Sequence, residues 1–132
     1  MTQEEKELLL KDLCARLPYE VKIDNIGEPS ILASIDNRYT IIVESTEVDK
    51  NSSFDLPRLD ILKIEDAKPY LFPLSSMTEK QREEWQSLMI RDSYGILYHT
   101  IDSFDYLYKN HIDIRGLIPM GSAIDATGLN IY

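Results

Sequence analysis

A proline-bracketed apolar segment, Lys68–Thr78, constrains this chain more than any other stretch, and we call it the strap. Pro69 and Pro73 fix two backbone φ angles and favour extended geometry in the residues before them. Large apolar or aromatic side chains occupy positions 70, 71, 72 and 74. Thr78 and Gln81 then have the spacing of a helix-capping box. The sequence therefore predicts a rigid extended strap that separates a β-rich front from a helical back and lies against both.

Length and composition indicate one folded domain, residues 1–132. A chain of 132 residues can bury a sufficient core without metals or disulfides. Its 43% hydrophobic and 28% charged residues are typical of folded proteins rather than disordered ones. We expect the α+β class: an N-terminal helix, a three- to four-stranded antiparallel meander, then two to three helices.

The net charge and the cysteine content limit which classes of partner and which cellular compartment the sequence favours. The net charge of −9 argues against binding to a nucleic-acid backbone, which requires a basic face. The single cysteine excludes an internal disulfide and suits a reducing compartment. The acidic start lacks the pattern of a signal peptide, and no apolar run is long enough to span a membrane. We therefore expect a cytoplasmic protein with neither nucleic acid nor membrane as partner.

The first element is predicted to be an amphipathic helix of about 14 residues. Thr2 and Glu5 have the spacing of a second capping box at its start, and Pro18 ends it. Its apolar positions recur at helical spacing: Leu10, Leu13, Cys14 and Leu17. Its charged positions fall mostly on the opposite side: Lys6, Lys11, Asp12 and Arg16. We expect the helix to pack across one face of the meander, with Cys14 as a small buried residue.

Period-two alternation predicts the meander that follows. The apolar positions of its first and third strands are Tyr19, Val21, Ile23, Tyr39, Ile41 and Val43. Residues 25–29 read as a turn, and Asp36-Asn37 is suited to a two-residue hairpin with positive φ. Residues 45–55 are expected to form a mobile polar loop. A fourth strand through Leu59 and Ile61 would be an edge strand because Pro57 lacks an N–H group, and residues 64–67 fit one helical turn.

The back of the chain is predicted to be helical over Glu79–Arg91 and Thr100–Asn110. Trp85 lies on the apolar side of the first of these helices, and we expect it to be buried near the strap and the second helix. Asp113 is placed to cap one further short turn. Residues 122–132 show no periodicity and are expected to be loosely held.

The segment His111–Arg115 is the one candidate ligand site. In an extended segment the side chains of His111, Asp113 and Arg115 would share a face, and the aspartate could orient the imidazole. The ordinary alternative places His111 near a helix C-terminus, Asp113 as a cap and Arg115 in an ion pair. The two histidines are too far apart for the spacings of zinc sites, and no phosphate loop or nucleophile elbow is present. We therefore assign no catalytic residue, no metal and no cofactor.

Tyrosines concentrate in the back of the chain, where Tyr94, Tyr98 and Tyr106 are candidate interface residues and Tyr108 follows. Tyrosine is enriched in protein–protein interfaces. A helical core whose tyrosines bury their rings and leave their hydroxyl groups in water would explain the cluster equally well. Both interpretations remain open at this point.

Three sequence blocks carry a resemblance: KDLCARLPY from Lys11, KPYLFPLSSMT from Lys68 and HIDIRGLIPMG from His111. With them the chain resembles a family of small uncharacterised proteins of gut Bacteroides-type bacteria and their phages. It departs from the family pattern at Glu20, where glycine is usual, and at Ile112 and Ile114, where aromatic residues are usual. Residues 23–60 match nothing in the pattern. The resemblance implies a phage or mobile-element context and brings no activity and no catalytic residues.

The leading functional hypothesis is a non-enzymatic interaction protein, because the sequence lacks the motifs of an enzyme. On the basis of the resemblance, we expect a phage-derived accessory or host-takeover factor that binds a bacterial protein. The alternative is a small ligand-binding protein or enzyme that uses His111, Asp113 and Arg115. A third hypothesis, mimicry of nucleic acid, would require a concentrated acidic surface.

Overall fold

The structure, a computed structural model, describes residues 1–48 and 56–132 and has the predicted α+β class. The elements follow in this order: α1 (Gln3–Arg16), β1 (Lys22–Asn25), β2 (Glu28–Ile35), β3 (Thr40–Val48), β4 (Pro57–Lys63), β5 (Lys68–Leu71), α2 (Glu79–Ser87), β6 (Ile90–Arg91), β7 (Leu97–Tyr98), α3 (Ile101–Lys109) and β8 (Ile124–Asp125). Within the described ranges, six strands form one sheet in the order β4-β3-β2-β1-β5-β8, and β6 pairs with β7 in a separate hairpin.

The sheet has more strands than predicted because β5 and β8 extend it beyond β1. The β1–β4 meander is antiparallel, as expected. The beginning of the strap also joins the sheet as β5, where Pro69 lies opposite Ile23 of β1. The beginning of the strap is therefore extended, as its prolines predict, and belongs to the sheet, whereas Leu74–Ser76 form a 3₁₀ turn rather than extended chain. Phe72 continues it as an isolated parallel bridge to Ile112, which ties the sheet to the segment after α3.

Helix α1 packs across one face of the sheet, and this predicted packing is confirmed. Its capping box is formed by Thr2 and Glu5. The principal core contains these fully buried side chains: Leu9, Leu13, Val21, Ile23, Ile41, Val43, Ile64, Ala67, Leu71 and Leu117. These residues join the helix, the meander, the strap and the segment after α3 in one apolar cluster, so a single core supports the whole sheet.

The rotation of α1 about its axis differs from the prediction. Cys14 and Leu17 are exposed, whereas Asp12 and Arg16 are fully buried. Residues 9, 12, 13 and 16 form the buried stripe, which has the i, i+3, i+4, i+7 spacing of a helix face. The two charges are tolerated there because Arg16 pairs with Asp12 on the next turn. The prediction was wrong because it placed charged residues outside by type alone.

The two hairpins of the meander use different turns. In the β1–β2 turn, Ile26 and Gly27 have φ values of 52° and 82°, which is the two-residue turn with positive φ at both positions. The prediction of such a turn at Asp36-Asn37 was wrong. The Asp36 carboxylate accepts hydrogen bonds from the N–H groups of Arg38 (2.8 Å) and Thr40 (3.0 Å). The loop is therefore longer, and Tyr39 takes the positive φ, at 61°.

Strand β3 extends to Val48, so residues 45–48 are strand and not loop. The rest of the loop predicted over 45–55 lies outside the described residues. Among the described residues, strand β4 pairs only with β3 and is an edge strand, as Pro57 indicated. The single helical turn predicted after it is confirmed as a 3₁₀ turn over Ile64–Asp66.

The predicted capping box of α2 is confirmed, although α2 is shorter than expected. Thr78 and Gln81 form the capping box of α2. The helix ends at Ser87 because residues 90–91 pair with residues 97–98 in the β6–β7 hairpin. A second apolar cluster joins Met77, Leu107 and Ile112 with the partly buried Phe72 and Trp85. Trp85 therefore packs near the strap, as predicted, but it is half-buried rather than fully buried.

The prediction of a loosely held tail over residues 122–132 was wrong. Strand β8 pairs in parallel with the strap, with Tyr70 opposite Ile124. Ala123 and Ala126 are buried. The Tyr132 hydroxyl donates a hydrogen bond to the Tyr70 carbonyl oxygen at 2.7 Å. These contacts are to residues more than fifty positions away, so no local periodicity could have indicated them.

Candidate functional site

The end of α3 fixes the position of His111. Its N–H donates to the Tyr108 carbonyl at 3.1 Å, and the Ile112 N–H donates to the Leu107 carbonyl at 2.9 Å. This pair of bonds is a Schellman motif, whose first residue beyond the helix takes a left-handed conformation. His111 has φ of 60°, a conformation that glycine usually supplies and that histidine tolerates better than most residues. The helix end therefore presents an imidazole where glycine would be easier to accommodate.

Tyr132 covers the imidazole of His111. The two rings stack with centroids 3.7 Å apart and planes 10° apart. The Tyr132 ring is itself fixed, because its hydroxyl accepts a hydrogen bond from the Lys22 N–H at 3.0 Å and donates to Tyr70. Burial, together with the positive charges of Arg16 and Lys22, lowers the pKa of His111 to about 4. His111 is therefore neutral near pH 7, and its Nδ1 is buried and has no hydrogen-bond partner in the part of the chain that the structure describes.

A cavity of about 460 Å³, which we call the His111 cavity, opens beside this stacked pair. It lies where the end of the strap, the start of α2, the end of α3 and the last residues of the chain meet. Its lining consists of Phe72, Ser76, Gln81, Lys109, Asn110, His111, Ile112, Thr127, Gly128 and Tyr132. None of these side chains is a carboxylate, although the chain as a whole is acidic.

The three predicted ligand-binding residues do not form one site. His111 lines the cavity, but Asp113 is buried and accepts hydrogen bonds from the N–H groups of Leu117 and Ile118, both at 2.9 Å. Asp113 thus caps the turn that follows it. Arg115 lies in a different shallow depression and faces Asp12, with Nε 3.5 Å from the Asp12 Oδ1. The capping and ion-pair roles of the ordinary alternative are therefore confirmed.

A buried ion pair between Asp12 and Arg16 contacts the backbone next to His111. The guanidinium of Arg16 donates from Nε and Nη2 to the Asp12 carboxylate at 2.7 and 3.2 Å. Nη2 also donates to the Ile112 carbonyl at 2.6 Å. The same guanidinium lies over the ring of Tyr108, 5.0 Å from its centroid. Both charged side chains have an exposed fraction of 0%, so this pair joins α1 to the residue after His111 inside the protein.

The candidate interface tyrosines differ in accessibility. Tyr94 is 89% exposed and Tyr98 is also exposed. Tyr106 is half-buried, and its hydroxyl donates to the Glu84 carboxylate at 2.7 Å. Burial and this contact raise the pKa of Tyr106 to about 12. Only the first two tyrosines present accessible rings, and both belong to the β6–β7 hairpin.

The hairpin adds further exposed apolar side chains to these tyrosines. We call the following set the hairpin patch: Ile90, Tyr94, Ile96, Tyr98 and Ile101. Ile90 and Tyr98 are cross-strand partners and therefore share a face of the hairpin. Ile101 begins α3 immediately afterwards and is 81% exposed.

Asp92 holds the hairpin in one conformation. Its Oδ1 accepts hydrogen bonds from the N–H groups of Tyr94 and Ile96, both at 2.9 Å, and its Oδ2 accepts one from the Tyr98 hydroxyl at 3.0 Å. The donating N–H groups, that of Ile96 first, keep the pKa of Asp92 below its ordinary value. Arg91 closes the turn by donating to the Gly95 carbonyl at 2.7 Å. The hairpin therefore displays its apolar side chains from a pre-formed turn.

Sequence reasoning missed several residues at these places. The sequence pattern predicts a loose tail around Tyr132, and it gives the isoleucines of the hairpin patch no role in a binding site. One local signal was available for the buried pair: Asp12 and Arg16 have the i, i+4 spacing of a helix ion pair and flank Leu13 on the apolar stripe. No comparable signal pointed to Tyr132, because its contacts depend on the parallel pairing of β8.

Other classes of site find no support among the described residues. In the ranges 1–48 and 56–132, no group of three or more histidine, cysteine, aspartate or glutamate side chains could hold a metal ion. No helix in the same ranges is long and apolar enough to cross a membrane. Comparison of the chain with protein-family models, with curated proteins and with solved structures found no match in any of the three.

Proposed function

We propose that this chain is a non-enzymatic interaction protein that binds a partner protein through the hairpin patch. The observation that carries the proposal is the exposure of large apolar side chains on a hairpin whose strands have only two residues each. Five such side chains lie within residues 90–101, which favours an interaction site over the scattered single exposures that are normal for a protein surface. A two-stranded hairpin gains little stability from displaying such residues to water, so a bound partner explains them better than the fold does.

The rigidity of the hairpin supports the same proposal. Binding costs less free energy when the interacting side chains are already ordered. Asp92 and Arg91 order the turn through the contacts described above. The Thr100 hydroxyl donates to the Leu88 carbonyl at 2.6 Å and ties the base of the hairpin to the end of α2. The backbone that carries Tyr94 and Ile101 is thus ordered by hydrogen bonds before a partner binds.

The acidic sequence in and beside the hairpin supports a proposal for the chemistry of the partner. Residues 83–105 contain these acids: Glu83, Glu84, Asp92, Asp102 and Asp105. Arg91 is the one lysine or arginine in the same stretch, and it is engaged with the turn. A complementary partner would offer an apolar groove edged by lysine or arginine, because matched potentials favour encounter and register. We propose a protein surface of that kind.

The biological setting that we propose comes from the resemblance described above. A phage-derived accessory or host-takeover factor would act on a bacterial protein, and we propose the cytoplasm as its location. The acidic character of the chain agrees with a protein partner rather than nucleic acid. The order of neighbouring genes would test this setting, since early anti-defence genes, capsid genes and lysis genes imply different partners.

The experiment is an affinity enrichment from a Bacteroides lysate with three baits: the wild type, Ile101→Asp and Ile26→Asp. Ile101 is the first residue of α3, where an acid is favourable to the helix. Ile26 is almost fully exposed and has positive φ, which aspartate tolerates better than isoleucine. Both variants should therefore fold.

We expect one protein to be enriched by the wild type and by Ile26→Asp and lost with Ile101→Asp. The recovered protein should then bind the purified wild type with an affinity that Ile101→Asp weakens by about tenfold or more. Equal enrichment by all three baits, or by none, would contradict the proposal.

A second candidate function is the binding of a small molecule in the His111 cavity, which we propose on the strength of the cavity itself. A concave site with a few convergent polar groups is the usual form of a ligand site. Of the three residues considered from the sequence, only His111 lines it. Its neutral imidazole offers one N–H group and one acceptor nitrogen.

Ligand-observed NMR with a fragment library tests this second candidate. Fragments that bind the wild type should lose binding to Tyr132→Ala, which removes the ring that covers His111, and should keep binding to Ile101→Asp. A library that yields no binder, or binders indifferent to Tyr132→Ala, would exclude the cavity as a ligand site.

A further inference from the structure

Strand β4 presents the longest free sheet edge among the described residues. It lies at one end of the six-stranded sheet and pairs only with β3. It has seven residues, whereas β8 at the opposite end has two. The unpaired N–H and C=O groups of an edge strand are a template for another strand. Strand β4 is therefore the place at which this sheet could be extended.

Over residues 57–61 the side chains of β4 divide into an apolar face and a charged face. Leu59 and Ile61 are 62% and 73% exposed, and Ile61 lies opposite Ile42 of β3 on the open face of the sheet. Arg58 and Asp60 point to the other face. Arg58 Nε donates to the Asp60 carboxylate at 2.9 Å, and Arg58 Nη2 donates to the Glu28 carboxylate at 3.2 Å. These bonds engage two of the five N–H groups of the guanidinium.

This arrangement is self-complementary about Leu59. We propose that β4 pairs antiparallel with β4 of a second copy of this chain, centred on Leu59, and joins two sheets into one. In this register the two Leu59 side chains meet, and Pro57 lies opposite Ile61 of the second copy. Arg58 lies opposite Asp60 of the second copy, and the two-fold symmetry repeats that contact. Opposite charges directly across a strand pair stabilise it, and like charges destabilise it.

Neighbouring registers lack this match. Centring the pair on Asp60 would place the two Asp60 carboxylates against each other, and centring it on Arg58 would oppose the two guanidinium groups. Centring it on Ile61 would place Leu59 opposite Lys63. A shift of the second strand by one residue from any of these registers would set the apolar face of one copy against the charged face of the other, because side chains alternate with a period of two. The Leu59-centred register is the one that satisfies both faces.

The test is a sedimentation-velocity concentration series on the full chain. The wild type should shift from the monomer mass of 15.3 kDa to twice that mass as concentration rises. Ile61→Asp should raise the dimer dissociation constant by about tenfold or more, because it exposes a charge to the apolar face of the second copy. Ile101→Asp makes the same change at a similarly exposed isoleucine on α3 and should leave the dimer unchanged. Leu59→Asp is the second variant should Ile61→Asp fail to fold, as judged by circular dichroism.

A charge exchange tests the register. Arg58→Asp and Asp60→Arg should each weaken the dimer, because each sets like charges opposite each other twice. The double variant that carries both changes should restore dimerisation to within about threefold of the wild type. A wild type that stays monomeric throughout the series would overturn the proposal. So would a dimer insensitive to Ile61→Asp and Leu59→Asp, or a double variant no better than its parents.

Discussion

Replacing Arg16 by methionine should be among the most destabilising single substitutions in this chain. The change removes two hydrogen bonds to Asp12 and one to the Ile112 carbonyl. It leaves the Asp12 carboxylate fully inaccessible to water, with Arg115 Nε at 3.5 Å as its remaining cationic neighbour. Breaking a buried pair costs about 3–5 kcal/mol when the other charge stays buried without compensation, and the ion pair with Arg115 places the expected cost at the lower end of that range. A domain of this size has a free energy of unfolding of about 5–15 kcal/mol.

Urea denaturation followed by circular dichroism measures this cost, and Lys6→Met is the matched control. Lys6 lies on the same helix and pairs with Glu65, but both side chains are partly exposed to water. An exposed pair contributes about 0–1 kcal/mol, so Lys6→Met should change stability little. The double variant Asp12→Leu/Arg16→Met removes both charges and should lie within about 2 kcal/mol of the wild type. A double variant no more stable than Arg16→Met alone would refute the reasoning.

Further predictions concern the two clusters and the cavity. Leu13→Ala should cost about 2–5 kcal/mol in the same assay, because the side chain is fully buried; a loss below about 0.5 kcal/mol would place it at the surface. Trp85→Ala should cost about 2 kcal/mol, less than a fully buried tryptophan would, and native emission red-shifted to that of free tryptophan would contradict its packing near the strap. The pKa of His111 is about 4 in the fold and about 6.5 in the unfolded chain. The unfolded chain therefore binds more protons between these values, and stability falls as pH drops through that window. His111→Asn should show a shallower fall, and equal slopes would contradict the buried neutral imidazole.

The features that the sequence predicted well are those set by local chemistry. The starts of α1 and α2 follow from capping boxes, and their hydrogen bonds are present. The extended strap follows from Pro69 and Pro73, and the buried positions of β1 and β3 follow from their alternation. In each case the deciding interaction lies within a few residues, which is why a single sequence could indicate it.

The features that the sequence did not predict depend on contacts between residues that are distant along the chain. Arg16 is buried because its guanidinium reaches the Ile112 carbonyl, 96 positions away, and charge type alone indicated a solvent-facing residue. Strand β8 forms because the strap offers it an edge. The stacking of Tyr132 on His111 requires that pairing first. For the candidate site, the sequence identified His111, Tyr94 and Tyr98, but it could not show that His111, Asp113 and Arg115 would be separated.

Hydrogen–deuterium exchange with and without the enriched partner tests most directly which surface of this chain binds a protein. If the hairpin patch binds the partner, backbone protection should appear over residues 88–104, and Ile101→Asp should abolish it. Exchange over strand β4 should depend on protein concentration and not on the partner. Protection that maps instead to the lining of the His111 cavity or to β4, with residues 88–104 unchanged, would contradict the proposed function.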